Sequence, residues 1–203
     1  GNVVSNINKY YALTNEKARH DNYLMQLLRG SAYGTVSRGL GRQLVAYAKT
    51  DASKREQAAP AILEMMEEMQ KGIYLPAEKD LLTAQLNLYS KKADYKLAPI
   101  VEKLGKEYNG DFTKYVNDAF GSSIFTSIDK VKAFLENPSE ATVTNDPLYV
   151  LSDDLLKHYN FKSEKLLAAQ NDFGASFRLL VEGLRESKIG EIQYPDANST
   201  LRL

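Results

Sequence analysis

The sequence predicts an all-α fold, an irregular multi-helix bundle that ends in a short extended C-terminal tail. Apolar residues recur at spacings of three and four over almost the whole chain, which is the period of an amphipathic helix. Gly, Pro and Asn divide this pattern into segments of helix length. The helical period breaks at Pro195, and the last few residues alternate between polar and apolar as in a strand.

Starts and stops of helices are marked along the chain. Pro76 suits the first turn of a helix, where its missing N–H costs nothing. Asp111, Thr126 and Asp146 are expected N-caps, and the Asn-Gly pair at 109–110 is a stop signal. The expected helices are residues 3–28, a segment ending near 50, a segment capped by Asp51 or Ser53 that bends or restarts at Pro60 and ends at 72, a segment beginning at 76, 99–109, 112–120, 128–137, a segment beginning at 147, and 163–188.

The last of these helices has the clearest apolar pattern. Phe173, Phe177, Leu180 and Leu184 recur at spacings of four and three, so they share one helix face. A continuous apolar stripe of this kind is typical of a face that packs on a core. We therefore expect this stripe to be buried.

Composition argues against several classes of function. Lys and Arg number 26 and Asp and Glu number 26, so the formal net charge is zero. Nucleic-acid binders carry a surplus of basic residues, and we expect no nucleic-acid partner. The absence of cysteine excludes disulfides, zinc–thiolate sites and thiol catalysis within the chain. No apolar run approaches the roughly 20 residues that span a bilayer, so we expect no membrane span.

The two histidines are the first candidates for chemistry or metal binding. Glu16 precedes His20 by four residues, and Asp154 precedes His158 by four, so each pair shares a helix face. A carboxylate-bridged metal centre in a helical bundle instead uses Glu-x-x-His at a spacing of three. The spacing favours solvated ion pairs. Asp21, the neighbour of His20, is expected to point away from it. We expect no metal and no other cofactor.

Three further segments carry candidate groups. The segment EMMEEMQK at 64–71 has three interpretations: a metal site, a Met-rich groove, or an amphipathic helix with its acids outward and its methionines inward. We favour the amphipathic helix. For the glycine-rich stretch at 30–41 and its three neighbouring arginines, an anion-facing surface, close helix packing and a loop that changes direction all stay open. Ser122 and Ser123 lack the Gly-x-Ser-x-Gly pattern of a nucleophile elbow. We expect no catalytic residue in the chain. The three arginines beside the glycine-rich stretch are Arg29, Arg38 and Arg42.

The closing run YPDANSTLRL, residues 194–203, closely resembles a specific junction in bacterial dipeptidyl peptidases of serine-peptidase family forty-six, whose members include dipeptidyl peptidases seven and eleven. At this junction those proteins leave their helical domain and return to the catalytic barrels. The likeness covers most of residues 75–203 and weakens towards the N-terminus. Further matching segments are EKDLLTAQLNLY at 78–89, DAFGSSIFTSIDKVKAFLENP at 118–138, NDPLYVL at 145–151 and FRLLVEGLRE at 177–186.

The resemblance implies a chymotrypsin-like double barrel that carries a large inserted helical domain. That domain covers the cleft where dipeptides are released from peptide N-termini, and the catalytic His, Asp and Ser lie in the barrels. Residues 1–193 would be this helical cap domain, and residues 194–203 would begin the return strand into a barrel outside the chain. The chain itself would then be no enzyme, while the longer protein would be a serine dipeptidyl peptidase.

The resemblance also implies the surroundings of the domain. Its partners would be the catalytic double barrel of the same protein and a peptide substrate, in the periplasm or outside the cell; a homodimer is left open. In the family, an Asn within an Asn-Tyr-Trp-Lys type segment binds the free amine of the substrate. The run SNINK at 5–9 is similar but lacks the Trp, so that role is not carried to Asn6. The alternative is a free-standing helical module that binds a protein or peptide in an exposed apolar groove.

Overall fold

A computed structural model describes residues 2–93 and 96–187. Within them the chain forms ten α-helices, one 3-10 helix and no strand, which confirms the all-α prediction. The expected extended tail and the domain boundary after residue 193 lie outside the described residues. The elements are α1 (Asn2–Gly30), α2 (Leu40–Lys49), α3 (Ala52–Gln70), α4 (Leu75–Lys92), α5 (Pro99–Glu107), α6 (Phe112–Ser122), the 3-10 helix (Ile124–Thr126), α7 (Ile128–Glu136), α8 (Glu140–Thr144), α9 (Pro147–Asn160) and α10 (Glu164–Glu186).

The chain divides into two compact units. The larger unit is Glu16–Phe161, and the smaller one combines the N-terminal part of α1 with α10. The larger unit is a multi-helix bundle with one apolar core, to which the inner faces of its helices contribute at helical spacing. Burying each large side chain there stabilises the fold by roughly 1.5–3 kcal/mol. Its largest fully buried side chains include Tyr33, Tyr89, Phe125, Leu24, Leu27, Leu44, Met66, Leu82 and Leu86.

Most of the predicted helix ends are confirmed. The Asp111 carboxylate accepts a hydrogen bond from the N–H of Lys114, and Asp146 accepts from the first turn of α9. Asn109 and Gly110 both have positive φ values, 52° and 78°, as a helix stop requires. The prediction for Thr126 was wrong. Ser127 is the N-cap of α7, while the Thr126 hydroxyl is buried and donates to carbonyls of the preceding turn.

Two glycines are required by close packing, Gly34 in the connection between α1 and α2 and Gly41 in the first turn of α2. A Cβ at Gly34 would collide with the carbonyl oxygen of Leu27 on α1. A Cβ at Gly41 would lie 2.7 Å from the ring of Tyr149 on α9. A side chain at Gly39, in contrast, would meet only an ordinary contact. Close packing, one of the interpretations left open for this stretch, therefore explains Gly34 and Gly41.

The smaller unit pairs α10 with the N-terminal part of α1 through small and aromatic side chains. Ala169 and Ser176 are buried, and the Asn6 side-chain amide donates to the Ser176 hydroxyl at 3.0 Å. The rings of Tyr10 and Phe173 stack with their centroids 4.4 Å apart. The helix contact of this unit is therefore built on the Ala169–Ser176 side of α10.

The prediction of a buried stripe on α10 was wrong for two of its four members. Phe177 is 48% exposed and Leu184 is 47% exposed, while Phe173 and Leu180 are half-buried. At 100° per residue, Phe177 and Leu184 lie about a quarter-turn away from the buried Ala169 and Ser176. The period correctly identified an apolar face, but within the described residues nothing covers most of it.

Candidate functional site

His20 of α1 is buried in the larger unit, and its ring is hydrogen-bonded there. Its Nε2 lies 2.8 Å from the hydroxyl of Tyr89 on α4. The same hydroxyl oxygen accepts from the N–H of Ala98, 2.9 Å away. Burial raises the pKa of Tyr89 to about 12, so the hydroxyl keeps its proton at neutral pH. Because the carboxylate of Asp21 that faces Nδ1 only accepts, we assign the proton of neutral His20 to Nδ1 and the donor role towards Nε2 to the Tyr89 O–H.

The Nδ1 side of His20 faces a carboxylate on the same helix. Asp21 Oδ1 lies 3.5 Å from Nδ1, and Asp21 Oδ2 lies 2.5 Å from Lys17 Nζ. Lys17 also donates to the carbonyl of Tyr159 on α9, 3.1 Å away. The predicted solvated pair of Glu16 and His20 was therefore wrong, because burial turns the ring into the core. The expectation that Asp21 points away was wrong as well, since its carboxylate reaches back to the ring edge.

His158 of α9 lies beside His20, although the two are far apart in the sequence. The ring centroids are 5.3 Å apart and the planes meet at 74°, an edge-to-face contact. His158 Nε2 donates to the carbonyl of Lys96, 3.0 Å away, because a carbonyl only accepts. Asp154 accepts from the N–H of Ile100 at 3.2 Å and forms no ion pair with His158 among the described contacts. These groups, here called the histidine cluster, link α1, α4, α9 and the segment before α5.

Burial lowers the pKa of both histidines below the ordinary value of 6.5. For His20, the hydrogen bond to Asp21 acts in the opposite direction and the neighbouring His158 acts in the same direction as burial. For His158, the carbonyl of Lys96 and the carboxylate of Asp154 oppose the effect of burial. The cluster therefore favours two neutral imidazoles at neutral pH.

A cleft of about 290 Å³ opens beside His158. Its charged groups are already engaged in part, since Lys157 pairs with Asp153 at 2.6 Å and Asp154 holds the backbone of α5. The volume is at the lower limit of small-molecule pockets. Its lining consists of Lys96, Pro99, Asp154, Lys157, His158 and Phe161.

The groups of the histidine cluster stand in the order of a catalytic relay, but Tyr89 is buried. Asp21, His20 and Tyr89 stand in the order of an orienting carboxylate, a base and a hydroxyl. Tyr89 is fully buried, so no substrate reaches its hydroxyl. Neither a serine nor a threonine lines the cleft beside His158. Across residues 2–93 and 96–187 no group of three His, Asp or Glu side chains is arranged to hold a metal ion.

The serines and methionines that the sequence singled out form hydrogen bonds or pack within the fold. The Ser123 hydroxyl is buried and donates to Asp146 at 2.9 Å, and the Ser122 hydroxyl donates to the carbonyl of Asp118 in its own helix. Met66 is buried and Met69 half-buried, as an amphipathic α3 requires. Met65 was expected to point inward, but it is 40% exposed.

The three arginines near the glycine-rich stretch are all exposed. Arg29 and Arg38 line one surface depression, whereas Arg42 is not among its lining residues.

No sequence signal pointed to Tyr89 as a partner of a histidine. Tyr89 lies on the buried apolar face of α4 with Leu82 and Leu86. The contact between its hydroxyl and His20 joins positions 69 residues apart. Asp146 was found as a helix start, but its second role as acceptor for Ser123 was not. None of the described helices has the length and apolar character that crossing a membrane demands.

Comparison with known proteins places the chain in a family of longer proteins. Residues 1–203 match the family model described as Peptidase S46. Dipeptidyl-peptidase 7 of Capnocytophaga gingivalis is 35% identical over 205 residues, covering 100% of this chain and 28% of that protein. The Asp/Glu-specific dipeptidyl-peptidase of Porphyromonas gingivalis is 29% identical over 154 residues, covering 75% of this chain and 21% of that protein.

A second relative from Porphyromonas gingivalis, its dipeptidyl-peptidase 7, is 25% identical over 212 residues, again covering 100% of this chain and 28% of that protein. The chain thus spans less than a third of the length of these curated relatives. The resemblance noted in the sequence is confirmed over all 203 residues. The chain belongs to the peptidase S46 family.

Proposed function

We propose that this chain is the non-catalytic helical cap domain of a dipeptidyl-peptidase-like serine exopeptidase. In this role it covers the cleft in which dipeptides are removed from the N-termini of peptides, while a catalytic double barrel elsewhere in the protein supplies the triad. Relatives named as dipeptidyl-peptidases, of which the chain matches about 28%, support the relationship. The described residues of the larger unit form a packed helical core, as a structural domain requires.

The observation that carries the proposal is the uncovered apolar face of α10. Phe177, Val181 and Leu184 are 48%, 40% and 47% exposed, and their spacing of four and three places them on one face. Contiguous apolar surface on a soluble domain marks an interface. Since most of the length of the relatives lies outside the matched region, the rest of the same protein is the proposed occupant. The free-standing binding module would leave this face to a separate protein.

The test compares two faces of α10 in the longer protein. Val181→Asp is expected to lower the rate of dipeptide release at least about tenfold, because a buried unpaired charge weakens docking. Leu179→Asp is the matched control, since Leu179 is 59% exposed and about 160° away around the helix. It should leave the rate within about twofold.

Two outcomes would contradict the cap role. The first is equal activity of the Val181 and Leu179 variants in the longer protein. The second is hydrolysis of a dipeptidyl reporter by this chain alone, titrated by a serine-directed covalent inhibitor. The periplasmic or secreted location stays a prediction from the resemblance, and cell fractionation of the longer protein tests it.

A further inference from the structure

A surface depression of about 580 Å³ lies where α1 meets the connection to α2. Two guanidinium groups line it, from Arg29 at the end of α1 and from Arg38 at the end of the connection. Thr35 is a further lining residue, and its hydroxyl makes no hydrogen bond among the described contacts. The lining therefore includes two cationic residues and one residue with a hydroxyl group.

Neither arginine is neutralised within the described part of the chain. No ion pair and no side-chain hydrogen bond there involves Arg29 or Arg38. Arg55 shows the contrast, because its guanidinium donates to the carbonyls of Thr50 and Ala48 at 2.8 and 3.0 Å. An arginine fork with no partner is suited to a planar oxyanion, which it holds with two parallel hydrogen bonds.

One carboxylate borders the depression and sets its charge. Glu78 Oε2 accepts from the Ser31 hydroxyl at 2.8 Å and from the N–H of Ala32 at 3.0 Å, and both of these residues line the depression. Glu78 makes no ion pair with either arginine among the described contacts. Two guanidinium groups and one carboxylate leave a local charge of about +1, which matches a singly charged carboxylate better than a doubly charged phosphate.

The arginine-bearing segment is anchored on both sides. The Ser37 N–H donates to the Ser152 hydroxyl at 3.1 Å, and the two hydroxyl oxygens are 2.8 Å apart and buried. Gly34 packs without room for a Cβ against the last turns of α1. Glu78 holds the start of the segment from α4. Binding at a fixed backbone costs less ordering entropy than binding at a mobile loop, so this anchoring favours a bound anion.

We propose that this depression is a binding site for a carboxylate group of a peptide, held by Arg29 and Arg38 and by the hydroxyl of Thr35. The site itself rests on the local geometry. The choice of a peptide as the carrier of the carboxylate rests on the proposed function, since a cap domain over a peptidase cleft meets peptides. The carboxylate is the C-terminal group of the peptide or the side chain of an acidic residue.

The test titrates this chain with three neutral-bodied pentapeptides, all acetylated at the N-terminus, and with inorganic phosphate. One peptide has a free C-terminus, one is amidated, and one is amidated with a central Asp. Backbone amide shifts of residues 29–39 report binding. We expect at least one carboxylate peptide to bind and the fully amidated neutral peptide to bind at least about tenfold more weakly. The two carboxylate peptides distinguish the terminal group from the side chain.

Matched variants separate the site from general charge. Arg29→Gln and Arg38→Gln should each weaken binding about tenfold, and Arg38→Lys should recover part of the loss. Arg42→Gln, which removes an equally exposed arginine outside the depression, should change the affinity less than about twofold. All three changed positions are on the surface, and unchanged melting curves check that the variants are folded.

Several results would overturn the proposal. These are equal binding of the amidated neutral peptide, equal weakening by Arg42→Gln and Arg38→Gln, tighter binding of phosphate than of either carboxylate peptide, and no shift at millimolar peptide. The readout is binding to this chain without catalysis. A failure of the cap role in the longer protein therefore leaves this test unaffected, and a failure of this test leaves the docking of α10 unaffected.

Discussion

At the scale of single residues, the histidine cluster connects protonation to stability. His20 is held by Tyr89 and lies edge to face with His158, and burial lowers the pKa of both rings. The unfolded chain, with ordinary histidines near 6.5, then binds protons more tightly than the folded chain. Stability from this source is complete above about pH 6.5 and is lost as the pH falls towards the folded pKa values.

We predict that the free energy of unfolding in urea decreases between pH 7.5 and pH 5. The charged groups that face the cluster are Lys17 and Asp21 on α1 and Asp154 on α9. Replacing both histidines, His20→Gln with His158→Gln, should flatten most of the slope. Each single variant should retain part of it. An unchanged slope in the double variant would show that other groups cause the pH dependence.

Asp146 is the second residue whose surroundings decide a large effect. Its carboxylate accepts from the Ser123 hydroxyl at 2.9 Å, from the N–H of Ile124 at 2.8 Å, and from the N–H groups of Leu148 and Tyr149 at 3.0 and 3.3 Å. Burial raises the pKa of this carboxyl, and the four hydrogen bonds act in the opposite direction. One side chain thus caps α9 and fixes the turn after α6.

Asp146→Ala should lower the free energy of unfolding by about 3 kcal/mol, because a cap is lost and buried donors are left without acceptors. Asp111→Ala is the matched control. Asp111 is also a helix N-cap, but it is exposed and accepts only from Lys114 N–H in α6, so about 1 kcal/mol is expected. Equal losses in the two variants, measured by urea unfolding at pH 7.5, would mean that the second set of hydrogen bonds adds nothing.

At the scale of elements, the sequence predicted what local rules control. Long amphipathic segments and strong caps placed nine of the ten α-helices, because period and capping are written in neighbouring residues. Helix α8 and the 3-10 helix were missed, since five and three residues are too few to show a period. Helix α3 is continuous from Ala52 to Gln70, so it does not restart at Pro60, and the alternative of a bend at Pro60 stays a prediction.

The candidate site was less predictable than the helices. His20 and His158 meet through the packing of α1 on α9, and no local pattern encodes a contact between positions so distant. The arginine depression was partly visible, since Arg29 and Arg38 were singled out as an anion-facing surface, but Arg42 could not be separated from them. On α10 the helical period identified the apolar face. It could not predict whether that face is buried, because burial depends on groups outside the helix.

At the scale of the whole molecule, burial is unevenly divided between the two units. Helices α9 and α10 can be compared by the side chains that each of them buries. Helix α9 buries Leu148, Leu151 and Leu155 in the core of the larger unit, whereas α10 buries only Ala169 and Ser176 among its described side chains. Large buried side chains stabilise by roughly 1.5–3 kcal/mol each, and small ones by much less. The free energy that opposes local opening should therefore be lower in α10.

We predict that amide hydrogen exchange in this chain resolves the difference. Amides in the middle of α9 should exchange only with global unfolding, as expected of core helices, and those in the middle of α10 should exchange at least about 100-fold faster through local opening. Adding urea at low concentration should speed exchange in α9 steeply and in α10 only weakly, because local opening exposes little surface. Equal protection of the two helices would mean that α10 is held by more than the contacts of its own unit. The uncovered face of Phe177, Val181 and Leu184 would then be already engaged in this chain, and its proposed docking to the rest of the protein would lose its physical basis.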